Sequence, residues 1–170
     1  MKIHIDRGRI SALFEGENMA GFAYQIVIAA SAEKVWQALT SAEFTRKFWF
    51  GRSIESDWKV GSPLRVITPE GTDEVRGKVL EFQPNQRLSY TWNSQLPDAT
   101  GDKETTVVFE LQAMGPLVKL SILQDIDAAS ARFQQAAAGW TFILNGLTTL
   151  LETGAPMPAG ADAVIPVEQT

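Results

Sequence analysis

Few residues in this chain offer reactive chemistry. His4 is the only histidine and cysteine is absent. A Ser-His-Asp arrangement would have to run through His4, close to the N-terminus, and zinc sites, which draw on cysteine or several histidines, are excluded. Asp125 and Asp127 could offer two oxygens to a hard cation, but the further ligands and loop of a calcium site are missing, and capping the helix that follows is the simpler role. Glu81, Glu110 and Asp125 fall in strand-like segments. Any of them facing an apolar interior would hold its proton more tightly and suit acid–base work. The competing reading is a solvated outer face, because Glu110 alternates with Phe109 and Leu111. No glycine-rich phosphate loop occurs. No catalytic residue, metal site or cofactor is expected.

The aromatic residues carry more information. Trp49, Phe50, Trp58, Tyr90, Trp92, Phe109, Phe133 and Trp140 recur through the chain. Most of them must be core. If the sheet bends away from the helix that covers it, the same side chains line a pocket that is apolar with a few polar points, the Tyr90 hydroxyl and the indole N–H groups. Val66, Val79, Val107, Leu120, Ala137 and Leu144 complete the expected lining. Gly139 and Gly146, at the edge of the helix's apolar face, would leave room there or let another element pack close.

These residues need a long helix and a sheet to position them. In Arg132 to Gly154, Phe133, Ala137, Trp140, Leu144, Leu147 and Leu151 recur at steps of four and three. With Ala136, Ile143 and Leu150 they form an apolar arc of roughly 140°, as expected for a helix lying on a larger surface. Gln134, Thr141, Asn145, Thr148 and Glu152 fall opposite. Ser130 or Asp127 can cap the start and Gly154 the end. Residues 133–151 carry no charge, yet six of them are Gln, Asn or Thr, so the stretch reads as amphipathic rather than as a membrane span.

Before it, Phe22–Ala30 reads as a strand and Ser31 caps a short helix. The second Ser-Ala-Glu, at Ser41–Glu43, starts another that runs into Trp49-Phe50-Gly51. Half-polar strands follow at 53–59, 64–68, 74–82, 87–93, 104–112 and 117–126, separated by Gly, Pro and Asn turns. Slipped alternation near Gly77 points to a bulge there. An antiparallel sheet with one wet face needs cover on the other, and the long helix is the element able to provide it. The fold class is therefore α+β, a curved sheet of about six or seven strands holding a C-terminal helix. Residues 1–20 form an N-terminal extension, an edge strand or an arm; residues 21–154 form the domain; residues 155–170 form an irregular tail.

At 170 residues, 45% hydrophobic and 21% charged, the composition is that of one ordinary globular domain. The net charge of −5 is uneven: residues 1–87 hold 12 basic and 11 acidic side chains, and residues 88–170 hold 3 and 9. No basic stripe exists, so nucleic acid and anionic membrane surfaces are not expected partners. The N-terminus lacks a signal peptide's apolar run, and a cytoplasmic location is the default. Phe142 falls on the helix's polar side. Either Val164, Ile165 and Val167 of the tail, or another loop, cover it, or it marks a contact in a homodimer.

Several runs carry a family resemblance: Ala30–Thr40 (ASAEKVWQALT), Trp49-Phe50, Trp58-Lys59-Val60-Gly61, Gly77–Pro84 with Arg87–Trp92, and Gly139-Trp140 before a leucine-rich helix. Together they resemble the START-like (SRPBCC, birch-pollen-allergen) superfamily. The closest similarity is to bacterial proteins related to the C-terminal domain of the activator of the ninety-kilodalton heat-shock protein ATPase. The resemblance covers about residues 22–153 and implies a helix-grip fold with a cavity between sheet and helix, used in many relatives for apolar small molecules. Two departures stand out. Leu123-Gln124-Asp125-Ile126 replaces a His-x-Gly-type end to the last strand, and the separate N-terminal domain of the eukaryotic co-chaperones has no room here. The leading expectation is non-enzymatic binding of a small hydrophobic or aromatic molecule. Its alternatives are a co-chaperone-like module with a chaperone partner, and an enzyme for polycyclic or lipid-like substrates.

Overall fold

The computed structural model describes residues 21–99 and 101–157. The expectations for residues 1–20, and for Val164, Ile165 and Val167, lie outside the described residues. Strand β1 (Phe22–Ile28) is followed by helices α1 (Ala32–Thr40) and α2 (Ala42–Phe48). Strands β2 (Ser53–Ser56), β3 (Pro63–Ile67), β4 (Asp73–Gln83), β5 (Arg87–Ser94), β6 (Thr105–Met114) and β7 (Leu117–Gln124) come next, and α3 (Phe133–Thr153) ends the domain. A 3₁₀ turn, Pro97–Ala99, interrupts the β5–β6 loop.

The seven strands form one antiparallel sheet in the order β1-β7-β6-β5-β4-β3-β2. From β2 to β7 each strand pairs with the next, while β1 pairs with β7 from Phe22↔Gln124 to Ile28↔Val118. The first strand therefore lies beside the last, and α1 and α2 bridge to the far edge. Inward residues follow the expected alternation: Leu88 and Tyr90, Val107, Phe109 and Leu111, and Val118, Leu120 and Ile122 are all buried. Ser31 caps α1 by accepting from the Lys34 amide at 3.2 Å. Gly154 ends α3 in the left-handed region, with its amide donating to Leu150.

Four local expectations need correction. Strand β2 stops at Ser56 instead of running to Lys59, because Trp58 is left-handed (φ 58°) and its amide turns back to the Ser56 hydroxyl at 3.0 Å. The β4 bulge lies between Val79 and Glu81, where Leu80 is pushed outward, and Gly77 is needed for another reason: a Cβ there would overlap the Thr91 carbonyl oxygen. Neither Ser130 nor Asp127 caps α3. Ser130 accepts from Arg132 and Asp127 from Ala129, in the turn before the helix, and Arg132 stands at the cap position without a side-chain bond. Asn145 is not on a solvent stripe, since its amide donates to the buried Tyr24 hydroxyl at 3.2 Å and to the Thr141 carbonyl at 2.7 Å. Among the described residues no helix is long and apolar enough to cross a membrane.

Candidate functional site

Helix α3 comes backbone-close to β1 among the strands, and also to α2, with Gly146 admitting Phe48. Over β5 and β6 the space between helix and sheet is spanned by side chains, giving an aromatic wedge. Trp49 enters it from the end of α2, Trp92 and Phe109 from the sheet and Trp140 from α3. Trp49 stacks on Trp92 at 6.3 Å and meets Trp140 edge-on at 5.3 Å, while Trp140 contacts Trp92 at 5.5 Å and Phe109 at 5.7 Å. Tyr90 joins through Phe109 at 6.2 Å. Such offset and edge-on contacts are the preferred geometries for rings, each adding about 0.5–1.5 kcal/mol beyond area burial.

A tight turn aims Trp49 inward. Phe50 (φ 49°) and Gly51 (φ 75°) are successive left-handed residues that reverse the chain between α2 and β2. Left-handed backbone is costly for a residue with a Cβ, so this turn must be held. Arg52 does so: it donates to the Phe50 carbonyl at 3.0 Å, lies over the Phe50 ring and forms a bidentate pair with Glu74 at 2.9 and 3.0 Å. Phe50 points instead to Phe142, 6.4 Å away, so a loop of the same chain covers part of that residue.

Apart from Phe50, the predicted lining residues separate into four groups. Trp49, Tyr90, Trp92, Phe109 and Trp140 are brought together in the wedge. Phe133 packs edge-on against Phe22 at 6.3 Å, over β1. Trp58 stacks on Phe82, which in turn meets Trp36 of α1, away from the tryptophan cluster. Val66, Val79, Val107, Leu120 and Leu144 are fully buried, and Ala137 is half-buried.

Polar groups on the inner face are sparse. Gln124, 3% exposed, accepts from the Trp140 indole N–H at 2.8 Å and donates to the Thr105 hydroxyl at 2.9 Å. It was not anticipated as a site residue, although continuing the alternation of Val118, Leu120 and Ile122 points to it. The Tyr90 hydroxyl is fully buried and, among the described residues, is the buried side-chain polar atom without a hydrogen-bond partner. Burial pushes its pKa well up, so it stays a neutral O–H.

The carboxylates considered for acid–base work lie elsewhere. Glu81 and Glu110 flank Arg87 on the opposite face of the sheet, and Ser89 donates to Glu81 at 3.1 Å. Asp125 accepts from the Thr106 amide beyond the end of β7, and burial pushes its pKa up against that bond. Among the described residues no three His, Asp or Glu side chains gather as metal ligands. That opposite face also carries a shallow depression of about 390 Å³ bordered by Arg76, Lys78, Leu80, Thr91, Asn93 and Glu104.

A curved antiparallel sheet closed by one long helix, with two short helices after the first strand, defines an α+β helix-grip domain. The family model of the Activator of Hsp90 ATPase homolog 1-like protein matches residues 29–152, and the chain belongs to that family. No curated protein matches. Among solved structures, the Aha1 dimer from Colwellia psychrerythraea is 24% identical with a TM-score of 0.63, covering 80% of this chain and 98% of that one. PFC0360w, an Hsp90 activator from Plasmodium falciparum, is 20% identical with a TM-score of 0.63, over 80% of this chain and 99% of that one. DynU16, a putative protein in the dynemicin biosynthetic locus, reaches a TM-score of 0.67 at 22% identity, over 79% of this chain and 48% of that one. At these identities the likeness is one of fold.

Proposed function

We propose that this chain binds a small apolar, aromatic molecule in the wedge between α3 and strands β5 and β6. The observation that carries the reading is how the wedge is filled. Helix and sheet backbones stand apart there, and the space is bridged by three indoles, of which Trp92 remains partly exposed. Trp140 meets both other indoles at a steep angle, a packing that a further flat ring can join. An added Cβ at Gly139, next to Trp140, meets nothing within 4 Å, so bulk is not already crowded against that stretch of α3.

Titrating the purified protein with Nile red, while following probe emission and tryptophan quenching together, tests this reading. Saturable one-to-one binding that quenches tryptophan is expected, and Ala137→Trp, which adds bulk beside the core, should weaken it at least about tenfold. Absence of saturation, or binding without quenching, sinks the proposal.

The family match supports a second reading, a module that stimulates a ninety-kilodalton heat-shock chaperone through its surface. An ATPase assay with that chaperone from the same host decides between them: stimulation in a protein that binds no probe would favour the second. An enzymatic role draws no support from Glu81 and Glu110, which are turned away from the wedge into pairs with Arg87.

A further inference from the structure

The Tyr90 hydroxyl is fully buried with no bond made, on a ring that meets the wedge through Phe109. Across the sheet Tyr90 is paired with Val79 and Val107, and its ring lies 6.2 Å from that of Phe109. The other inward polar groups are engaged: Gln124 with Trp140 and Thr105, and Tyr24 with Asn145. Buried hydroxyls almost always find a partner, so this one asks what the partner is.

Its surroundings narrow the answer. A trapped water needs two to four polar partners, and the inward Gln124 and Tyr24 side chains that could supply them are already engaged. A carboxylate would enter without a counter-charge, because the buried polar residues described are Thr45, Ser89, Ser121 and Gln124, none of them cationic. A ligand hydroxyl fits poorly as well: two hydroxyls facing each other share one bond and leave one hydrogen over. A carbonyl oxygen brings no hydrogen of its own and accepts the one that Tyr90 has to give. The neighbouring rings favour a flat aromatic frame around that carbonyl.

We infer that Tyr90 donates a hydrogen bond to the carbonyl oxygen of an uncharged aryl ketone held in the wedge; this rests on the wedge being a ligand site. No covalent step is involved. Tyr90 selects the ligand by rewarding one neutral acceptor and leaving an anion unpaired.

Three probes on one ring skeleton test it: fluorene, 9-fluorenone and fluorene-9-carboxylate, titrated into the full chain and into Tyr90→Phe. The wild type should bind fluorenone about tenfold tighter than fluorene, the scale of one well-made hydrogen bond in a buried site, and the carboxylate most weakly. Tyr90→Phe keeps the ring and should erase the preference for the ketone, so that fluorenone and fluorene bind the variant with equal affinity. The ketone's infrared carbonyl band should move to lower wavenumber on binding the wild type and stay unshifted with the variant, which altered packing alone would not produce. Equal affinity for fluorene and fluorenone with an unshifted band overturns the role of Tyr90 and leaves the wedge as a ligand site. A preference that survives in Tyr90→Phe, or tightest binding of the carboxylate, overturns it too. Failure of all three probes to bind removes both the inference and the reading beneath it. Should Tyr90→Phe not fold, the wild-type preference and band shift decide alone.

Discussion

Gln124 spends both ends of its amide inside the molecule, holding the Trp140 indole by one and the Thr105 hydroxyl by the other. Gln124→Met keeps length and shape but strands both partners. A buried donor left unpaired costs about 1–3 kcal/mol, so the unfolding free energy should fall by that amount, read as a lower urea midpoint at an unchanged slope. Asp125, one residue past the end of β7, makes the opposite kind of contribution. Burial raises its pKa, the Thr106 and its own amide bonds lower it less, and Glu104 raises it further. The native state then holds the proton more tightly than the unfolded chain. The contribution of Asp125 to stability is therefore fully present below the unfolded value of 3.8 and is lost as pH rises through the native value. Asp125→Asn keeps an acceptor for Thr106 and should flatten that fall, seen as a smaller loss of stability from acid to neutral pH than in the wild type. The glutamine was legible only by carrying the strand's alternation one step further, past the point where polar residue type argues for an end.

Along α3 the same residue type does different work at two positions seven apart. Gly146 lies under α2, where an added Cβ would stand 3.1 Å from the Phe48 carbonyl oxygen. Gly139, two turns earlier on the same edge, faces open space. Gly139→Ala should raise stability by about 0.5–1 kcal/mol through helix propensity, and Gly146→Ala should not, because the gain is consumed in pushing α2 aside. Paired thermal melts distinguish them. The start of α3 shows why its capping residue was misplaced. Arg132 is tied from outside to Asp98 and Asp102 of the β5–β6 loop, at 3.2 and 3.0 Å, while Ser130 and Asp127 close the preceding turn. Capping residues mark a nearby helix end in sequence, but contacts made thirty residues away settle which residue occupies it.

Across the whole molecule, the aromatic side chains divide the interior into a tryptophan wedge, a phenylalanine contact over β1 and a Trp36–Phe82–Trp58 file under α1. Phe142 belongs to none of these and packs on Phe50. Because a loop of its own chain takes that contact, Phe142→Ser should lower stability and leave the molecular mass in solution unchanged. Light scattering checks this, and a loss of mass would show that Phe142 also joins two copies.

Alternation of apolar side chains, the spacing of turn residues and the repeat along the last helix are local properties. They were enough to specify the antiparallel strands, their inward faces and the helix that covers them, because a period of 2 or 3.6 leaves its mark within a few residues. Which rings meet, which hydroxyl is left without a partner and where Phe142 finds cover were decided by how α3 lies across the sheet. Those contacts join residues far apart in the chain, as Tyr24 and Asn145 are at a separation of 121, and no local pattern records the angle at which two surfaces pack.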